Sequence, residues 1–365
     1  MSLTQEEPTK AETITLQNGQ VLSVKSDTGK KVESLPVIDV SGMYSENFED
    51  RKAVAEQVRA AAHEIGFFYV INHVTLSPLK QKLPVPNGQQ GVDPKFSGQT
   101  FEAAKRFFEQ SEEKKMEVFT GLVPNEYVGY HPLEHYSRAG RKKKDLCEAF
   151  NWAYDAKFDP ETLDINEPSI NIWPEGVPGF KETLFEHHTQ MLAFSRRMTR
   201  VFALALHLPE DAFDDYIKRP EAGMRVLHYP QQEAAEDEQN GIGAHTDFEC
   251  FTTVTQDDCG GLEVLSKTGE WIKAKPIPGA FVVNIADCFM RQTNDFFVST
   301  VHRVINKSGK ERYSCPFFFG FDRKKVLEAV PTCVSEDNPM KYPIMTAGEY
   351  YAWRANRAKT QGLSY

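Results

Sequence analysis

One segment in the second half of the chain, residues 241–264, reads GIGAHTDFECFTTVTQDDCGGLEV. Glycines at 241 and 243 precede His245-Thr246-Asp247, as a turn that enters a strand requires. Residues two apart in an extended segment point to the same side. The imidazole of His245 and the carboxylate of Asp247 can therefore converge on one point. This segment is a candidate metal site on a β-rich scaffold.

The sequence around this segment predicts an antiparallel β structure. After residue 224, short β-branched and aromatic runs alternate with turn residues, and they cover 225–229, 250–255, 261–265, 280–285, 299–305 and 313–321. Six short runs separated by glycine and proline predict a sandwich or a barrel. Upstream, helical patterns at 54–65 and 180–207 and a buried strand at 67–72 predict helices that flank this β unit.

A third metal ligand is predicted at His302, which lies in a β run 55 residues after Asp247. Two histidines and one carboxylate form the facial set that leaves positions of a ferrous ion open for substrate and O₂. Three such ligands could also hold catalytic zinc with one water. Arg312 and Ser314, on one face of a later strand, favour iron. Their guanidinium and hydroxyl groups suit the distal carboxylate of a dicarboxylic keto acid.

Six stretches of the sequence resemble a known family. They read LPVIDV, AAAHEIGFFYVINH, MRVLHYP, the 241–264 segment, GEWIKAKPIPGAFVVNIADC and STVHRVINKSGKERYSCPFFFG. Over residues 35–350 the chain resembles the iron(II)/2-oxoglutarate-dependent dioxygenases of the isopenicillin N synthase-like group, in its fungal branch. The resemblance implies a mainly β fold with flanking helices and a double-stranded β-helix (jelly-roll) core. Val74 and Ala286 depart from the family, which has glycines there.

The resemblance also implies the site residues and the reaction. It assigns Fe(II) to His245, Asp247 and His302, 2-oxoglutarate to Arg312, Ser314 and Tyr229, and a substrate contact to Phe318. The implied reaction uses O₂ and 2-oxoglutarate to hydroxylate, desaturate or rearrange a small organic molecule, and it releases succinate and CO₂. Fungal relatives imply a place in secondary or nucleobase metabolism.

Aromatic residues near the predicted site indicate the substrate class. The candidates for contact with substrate are Trp152, Phe251, Phe289 and Phe318, with Tyr154 close by in the sequence. A pocket lined by such side chains predicts a small, largely apolar or flat molecule.

Three alternative functions stay open at this point. The first is an oxidase of the same fold that does not use 2-oxoglutarate, as in isopenicillin N synthase. The second is a zinc hydrolase built on the same three ligands. The third is a non-catalytic module that binds a small molecule on the same fold.

Composition and charge exclude several other classes of protein. The chain has 365 residues and a formal net charge of −10, which disfavours binding to nucleic acid. No apolar run approaches the roughly 18 residues that span a bilayer, and the start, MSLTQEEPTK, lacks an apolar signal segment. The expected compartment is therefore the cytoplasm, and the expected partner is a small-molecule substrate. The six cysteines form no CxxC pair and are expected to be reduced. No pattern predicts an oligomeric state.

The predicted organisation is one catalytic unit with four regions. They are an N-terminal extension (1–34), an α/β region (35–220), the jelly-roll core (221–330) and a helical C-terminal tail (331–365). Asn18-Gly19, between short apolar runs, predicts a β-hairpin in the extension, with a flexible tail as the alternative. Residues 83–99 are rich in proline and glycine and are predicted to be a loop, either a lid or a surface insertion.

Overall fold

The computed structural model describes residues 12–15, 21–24, 34–73, 75–76, 89–90, 94–124, 126–135, 144–162, 167–232 and 240–361. Six α-helices lie within these ranges. They span Phe48–Glu64 (α1), Pro94–Phe108 (α2), Glu112–Met116 (α3), Phe180–Ala205 (α4), Asp287–Gln292 (α5) and Ala347–Gln361 (α6).

The strands of the described residues form two large sheets and three short pairs. The larger sheet contains Val37–Asp39 (β3), Phe67–Ile71 (β4), Gly129–His131 (β7), Glu148–Trp152 (β8), Glu221–Tyr229 (β9), Phe251–Gln256 (β11), Phe281–Ile285 (β14) and Arg312–Gly320 (β16). The smaller sheet contains Ile242–His245 (β10), Leu262–Leu265 (β12), Trp271–Lys273 (β13) and His302–Val304 (β15). The pairs are Glu12–Thr15 (β1) with Val21–Val24 (β2), Thr75–Leu76 (β5) with Gln89–Gln90 (β6), and Val326–Leu327 (β17) with Met345–Thr346 (β18).

The larger sheet has the order β3-β4-β14-β11-β16-β9-β8-β7, and the smaller sheet has the order β10-β15-β12-β13. All their pairings are antiparallel except that of β3 with β4. Leu227 and Val282 of the larger sheet share a buried apolar cluster with Val264 and Ile272 of the smaller one. The two sheets therefore pack face to face, which confirms the predicted jelly-roll fold. The larger sheet extends beyond the predicted core at 221–330, because β4 pairs with β14 and β8 pairs with β9.

Helices cover the outer face of the larger sheet. The longest, α4, packs Phe202 against Phe251 of β11 with ring centroids 5.0 Å apart. His187 and His188 of α4 are buried, and burial lowers their pKa values to about 3 and about 4. Both are packing residues with hydrogen-bond partners, because Thr100 Oγ1 contacts His187 and the carbonyl of Ala222 contacts His188.

The junction between α1 and β4 is set by Gly66. A backbone φ of +72° places this residue in the left-handed region, which glycine adopts without strain. A Cβ at this position would lie 2.0 Å from the carbonyl oxygen of Val298. Gly66 therefore ends the helix and lets the chain turn into the buried strand Phe67–Ile71.

Several predicted boundaries shift in the structure. The predicted loop at 83–99 is partly helical, because α2 begins at Pro94, where the missing backbone N–H is tolerated. Residues 83–88 and 91–93 of that loop lie outside the described residues. The strands β1 and β2 pair antiparallel, and the Asn18-Gly19 turn between them also lies outside the described residues. Within the described part of the chain, every helix is too short or too polar to cross a membrane.

Candidate metal centre

Two strands of the smaller sheet bring the predicted histidines together. His245 ends β10 and His302 begins β15, and the two residues are direct partners in the antiparallel register. Their ring centroids are 4.2 Å apart. The ring of His302 also packs edge-on against Phe67 of β4, at 5.1 Å. Both imidazoles therefore point into the space between the two sheets.

Asp247 follows β10 in the chain and completes a three-residue cluster. Its Oδ1 lies 3.6 Å from Nε2 of His245 and 3.7 Å from Nε2 of His302. One potential ligand atom from each residue lies within 4.8 Å of those of the other two. Two imidazole nitrogens and one carboxylate oxygen converge as the facial set of a non-haem iron site requires.

Hydrogen bonds orient all three groups. Nδ1 of His245 donates to the carbonyl of Gly243 at 2.8 Å, and Nδ1 of His302 donates to the carbonyl of Thr300 at 3.2 Å. A carbonyl oxygen can only accept, so each ring carries its proton on Nδ1 and presents the lone pair of Nε2 to the cluster.

The carboxylate of Asp247 is oriented in the same way. Its Oδ2 accepts hydrogen bonds from Thr252 Oγ1 at 2.6 Å and from Asn284 Nδ2 at 2.8 Å. These contacts turn Oδ1 toward the two imidazoles. The donor set therefore fits a divalent metal ion, because the non-ligating atom of each group already has a protein partner.

Arg312 is a buried cation on the inner face of the larger sheet. Its side chain donates to Ser314 Oγ at 3.0 Å, to Gln256 Oε1 at 3.2 Å and to the carbonyl of Gly260. The residue is 1% exposed, and no carboxylate of the described residues forms an ion pair with it. A buried guanidinium without a counter-charge is costly. The site therefore fits an anionic ligand such as the distal carboxylate of 2-oxoglutarate.

Tyr229 lies beside Arg312 because the two residues are direct partners between β9 and β16. The guanidinium carbon is 4.7 Å from the centroid of the tyrosine ring. Burial raises the pKa of Tyr229, so its phenol is a neutral donor. A Cβ at position 241 would lie 2.5 Å from the tyrosine ring, so only glycine at this position admits Tyr229.

Phe318 shares the inner face of β16 with Arg312 and Ser314, because side chains alternate along the strand. Its direct partner on β11 is Thr252, the residue that holds Asp247, and its partner on β9 is Gly223. Phe318 is half-buried, whereas Phe317 and Phe319 on the opposite face are buried. Phe318 therefore lies next to Thr252, the residue that holds Asp247.

The other three aromatic candidates do not lie on the inner face of the larger sheet. Phe251 pairs with Phe319 and packs on Phe202 of α4, so it belongs to the helix-covered core. Phe289 of α5 packs against Phe202 and Phe297 in the same core. The side chain of Trp152 also points to the outer side of the sheet, because it alternates with Asn151 on β8. It is 1% exposed and belongs to the same helix-covered core. The expectation that these residues contact substrate is corrected, because each ring packs on the outer side of the larger sheet.

Several residues of the site escaped the sequence analysis. Thr252, Asn284 and Gln256 hold the predicted ligands by hydrogen bonds. Arg225 is buried on the inner face of β9, and Asn151 of β8 lies directly opposite it. The sequence does contain a signal for Arg225, because it is a charged residue inside the apolar run MRVLHYP. A buried arginine is tolerated only where it has hydrogen-bond partners or binds a ligand.

Comparisons with known proteins identify the family of this chain. A model of the 2OG-Fe(II) oxygenase superfamily matches residues 220–321. A model described as the N-terminal region of non-haem dioxygenases in morphine synthesis matches residues 35–83 and 87–176.

Individual relatives extend the match over most of the chain. A 2-oxoglutarate-Fe(II) type oxidoreductase of Metarhizium majus is 37% identical over 328 residues, covering 84% of this chain and 83% of the relative. Another of Emericella nidulans is 35% identical over 321 residues, covering 85% and 86%. The crystal structure of a full-length Neurospora crassa protein in complex with alpha-KG and thymine has a TM-score of 0.74 and 26% identity, covering 89% of this chain and 97% of that one.

The chain belongs to the 2OG-Fe(II) oxygenase superfamily. Within that superfamily it is an oxidoreductase of the dioxygenase type, which uses Fe(II), 2-oxoglutarate and O₂.

Proposed function

We propose that His245, Asp247 and His302 hold Fe(II), and that Arg312, Ser314 and Tyr229 bind 2-oxoglutarate. The observation that carries this proposal is the buried guanidinium of Arg312, which has no carboxylate partner among the described residues. It lies on the inner face of the larger sheet, and the three-residue cluster of the smaller sheet opens toward that face. An anion bound to Arg312 would complete the ion pair that the described residues do not provide.

The protein residues divide the work of binding and orientation. Bound Fe(II) supplies oxidation of a substrate C–H bond by O₂, coupled to conversion of 2-oxoglutarate to succinate and CO₂. Arg312 and Ser314 fix the distal carboxylate of 2-oxoglutarate, and the neutral phenol of Tyr229 donates a hydrogen bond to it. The apolar packing between the sheets, which includes Val264 and Val282, keeps water from the reacting atoms.

We further propose a flat substrate with a polar edge rather than a largely apolar one. Phe318 offers a ring face, and the missing side chain of Gly223 leaves room beside it, since a Cβ there would meet no atom closer than 3.9 Å. Arg225 and Asn151 add a guanidinium and an amide to the same inner face. The related Neurospora crassa structures with thymine and with 5-formyluracil support a heterocycle of this kind.

The first experiment tests the cofactor site without a substrate. Anaerobic addition of Fe(II) and then 2-oxoglutarate is expected to produce the visible charge-transfer band of a chelated keto acid. The band should vanish in His245→Ala and shift to much higher 2-oxoglutarate concentrations in Arg312→Met. Binding of zinc with no such band would favour the hydrolase instead.

The second experiment identifies the reaction and the substrate class. A panel of pyrimidine and purine bases, aromatic acids and charged amino acids is screened by succinate release and product mass. One succinate per oxidised product is expected, and it would reject an oxidase that does not use 2-oxoglutarate. Turnover with a charged aliphatic amino acid alone would overturn the flat-substrate proposal. Ligand binding without succinate from any compound would favour a non-catalytic module.

A further inference from the structure

The C-terminal helix α6 places one arginine inside the protein, next to the turn that carries Asp247. Arg354 is 0% exposed, although α6 is the last element of the described chain. Its guanidinium carbon lies 4.0 Å from the ring centroid of Phe248, the residue after Asp247. Its Nη2 donates to Oδ2 of Asp287, at the first position of α5.

Asp287 connects this arginine to the other side of the same turn. Its Oδ2 also accepts a hydrogen bond from Thr246 Oγ1 at 3.1 Å, and Thr246 immediately precedes Asp247. The backbone N–H of Asp287 donates to the carbonyl of Asp247 at 3.1 Å. Arg354 therefore contacts Phe248, on one side of Asp247, directly, and holds Thr246, on the other side, through Asp287.

The charges explain why Arg354 is needed. The carboxylate of Asp287 is buried, and Arg354 is the cation that pairs with it among the described residues. Removing one partner of a buried pair leaves the other charge uncompensated. Without Arg354, the buried carboxylate of Asp287 would be drawn toward water, and its contact with Thr246 would weaken.

We propose that Arg354 is a positioning residue for the metal centre. Through Asp287 on one side and Phe248 on the other, it fixes the turn from which Asp247 reaches the two histidines. The C-terminal helix thus controls the metal affinity of a site to which it contributes no ligand. This inference rests on the proposed role of Asp247 as a metal ligand.

The test measures metal binding by the full chain under anaerobic conditions, with Mn(II) and Co(II) as probes. Arg354→Met is expected to weaken Mn(II) binding by about 10- to 100-fold, the range of losses when a residue that orients a metal ligand is removed. The visible spectrum of bound Co(II) should also change. Arg354→Lys keeps the charge and should recover part of the affinity, which loss of folded protein alone would not produce.

Controls separate this inference from the proposed function. Arg200 of α4 forms a partly exposed ion pair with Asp214. The Arg200→Met variant should bind Mn(II) as the wild type does. If Asp247→Ala still binds Mn(II) like the wild type, the proposed metal site itself is wrong. If Asp247→Ala abolishes binding while Arg354→Met keeps wild-type affinity and the wild-type Co(II) spectrum, the positioning role is wrong.

A milder variant keeps the test decisive if Arg354→Met does not fold. Thr246→Val removes a single hydroxyl and leaves the Arg354–Asp287 pair in place. A loss of several-fold in Mn(II) affinity is expected. If Arg354→Met does not fold, wild-type Mn(II) affinity in Thr246→Val would overturn the proposal.

Discussion

Two buried charged groups on opposite faces of the eight-stranded sheet differ in whether the described residues provide an oppositely charged partner: Glu148 on the outer face has one, and Arg312 on the inner face does not. On the outer face, Glu148 accepts from Lys115 Nζ at 2.7 Å, from the Tyr130 hydroxyl at 2.8 Å and from His228 Nδ1 at 2.8 Å. On the inner face, one residue further along β9, Tyr229 lies beside Arg312, which has no carboxylate partner among the described residues. On the outer face the buried charge of Glu148 therefore has its partners within the protein. On the inner face the buried charge of Arg312 has no carboxylate partner among the described residues.

Buried polar groups with protein partners and buried polar groups without them are expected to have different roles, one in stability and the other in ligand binding. A complete buried network stabilises the folded chain, and removing one member leaves the others unsatisfied. An incomplete set of ligand atoms is completed only when a metal ion or an anion binds. Substitutions on the inner face should therefore change ligand binding more than folding, and substitutions on the outer face should do the reverse.

The largest effect is expected for Asp247→Ala, on the inner side of the comparison. Loss of a proposed metal ligand should lower succinate production by at least about a thousandfold, more than the loss of a residue that only orients a ligand. The melting temperature of the metal-free protein should fall only modestly, because the buried donors of Thr252 and Asn284 lose the carboxylate that accepts their hydrogen bonds. Asp258→Ala, at an exposed acidic position, is the matched control. Retention of a tenth of wild-type turnover would contradict the assignment.

Arg312→Met sharpens the comparison at the proposed 2-oxoglutarate site. Hydrogen bonds to a charged group contribute about 1.5–3 kcal/mol, so the Kd for 2-oxoglutarate should rise by about 10- to 100-fold. The free energy of unfolding without ligand should fall by less than about 1 kcal/mol, because an unpaired buried charge is replaced by an apolar chain of similar size. Anaerobic titration and urea denaturation measure the two quantities. A large fall in the free energy of unfolding, with an unchanged Kd for 2-oxoglutarate, would show that Arg312 stabilises the fold and does not bind the keto acid.

Glu148→Gln probes the outer face. The free energy of unfolding should fall by about 2 kcal/mol, because the buried Lys115 loses the closer of its two carboxylate partners and keeps only the exposed Glu112. The kcat of the folded fraction should not change. Glu117→Gln, in the exposed pair with Lys114, should leave the free energy of unfolding nearly unchanged. Urea denaturation with a parallel activity assay tests both variants. A lower kcat in fully folded Glu148→Gln would contradict the expectation that the outer face affects stability and not catalysis.

The pH dependence of this variant has a defined sign. Burial alone would raise the pKa of Glu148, but hydrogen bonds from His228, Lys115 and Tyr130 outweigh burial and hold it below the usual value. A carboxylate with a depressed pKa contributes stability above its unfolded pKa and loses that contribution as the pH falls through the folded one. Below about pH 4.5, wild-type stability should therefore fall more steeply than that of Glu148→Gln.

The smallest effects come from two adjacent phenylalanines on opposite faces of β16. Phe318→Leu should raise the KM for the substrate by about tenfold, which corresponds to about 1.4 kcal/mol, and leave stability nearly unchanged. Phe317→Leu should lower the free energy of unfolding by about 1 kcal/mol, because its ring packs on His188 at 5.1 Å, and leave KM unchanged. Equal effects of the two variants on KM would remove Phe318 from the substrate site.

Local pattern predicted the part of the site that depends on alternation within a strand. His245 with Asp247 and Arg312 with Ser314 are pairs two residues apart, so an extended segment aligns them whatever the rest of the fold does. The jelly roll followed from the run of short strands and from the family resemblance. The strand pairing then brought His302 opposite His245.

Sequence pattern failed where the answer depends on which face of a sheet points inward. Phe251 and Phe318 lie in equally apolar runs, and only the register that pairs Phe251 with Phe319 sends the first outward and the second inward. The contact between Arg354 and Asp287 joins residues 67 positions apart. No local periodicity predicts such a contact, because it is fixed by the packing of α6 rather than by either segment alone.

The proposed metal ligands and the proposed anion site stand on different sheets, and this has a consequence for keto-acid length. His245 and His302 belong to the smaller sheet, whereas Arg312 belongs to the larger one. Val264, the direct partner of His302, and Val282 of the larger sheet belong to the buried apolar cluster between the two sheets. Oxaloacetate, 2-oxoglutarate and 2-oxoadipate differ by single methylene groups. We therefore expect the size of the apolar side chains between the two sheets to decide which of these keto acids binds best. Enlarging one of those aliphatic residues would shift the preferred diacid without touching a single coordinating atom.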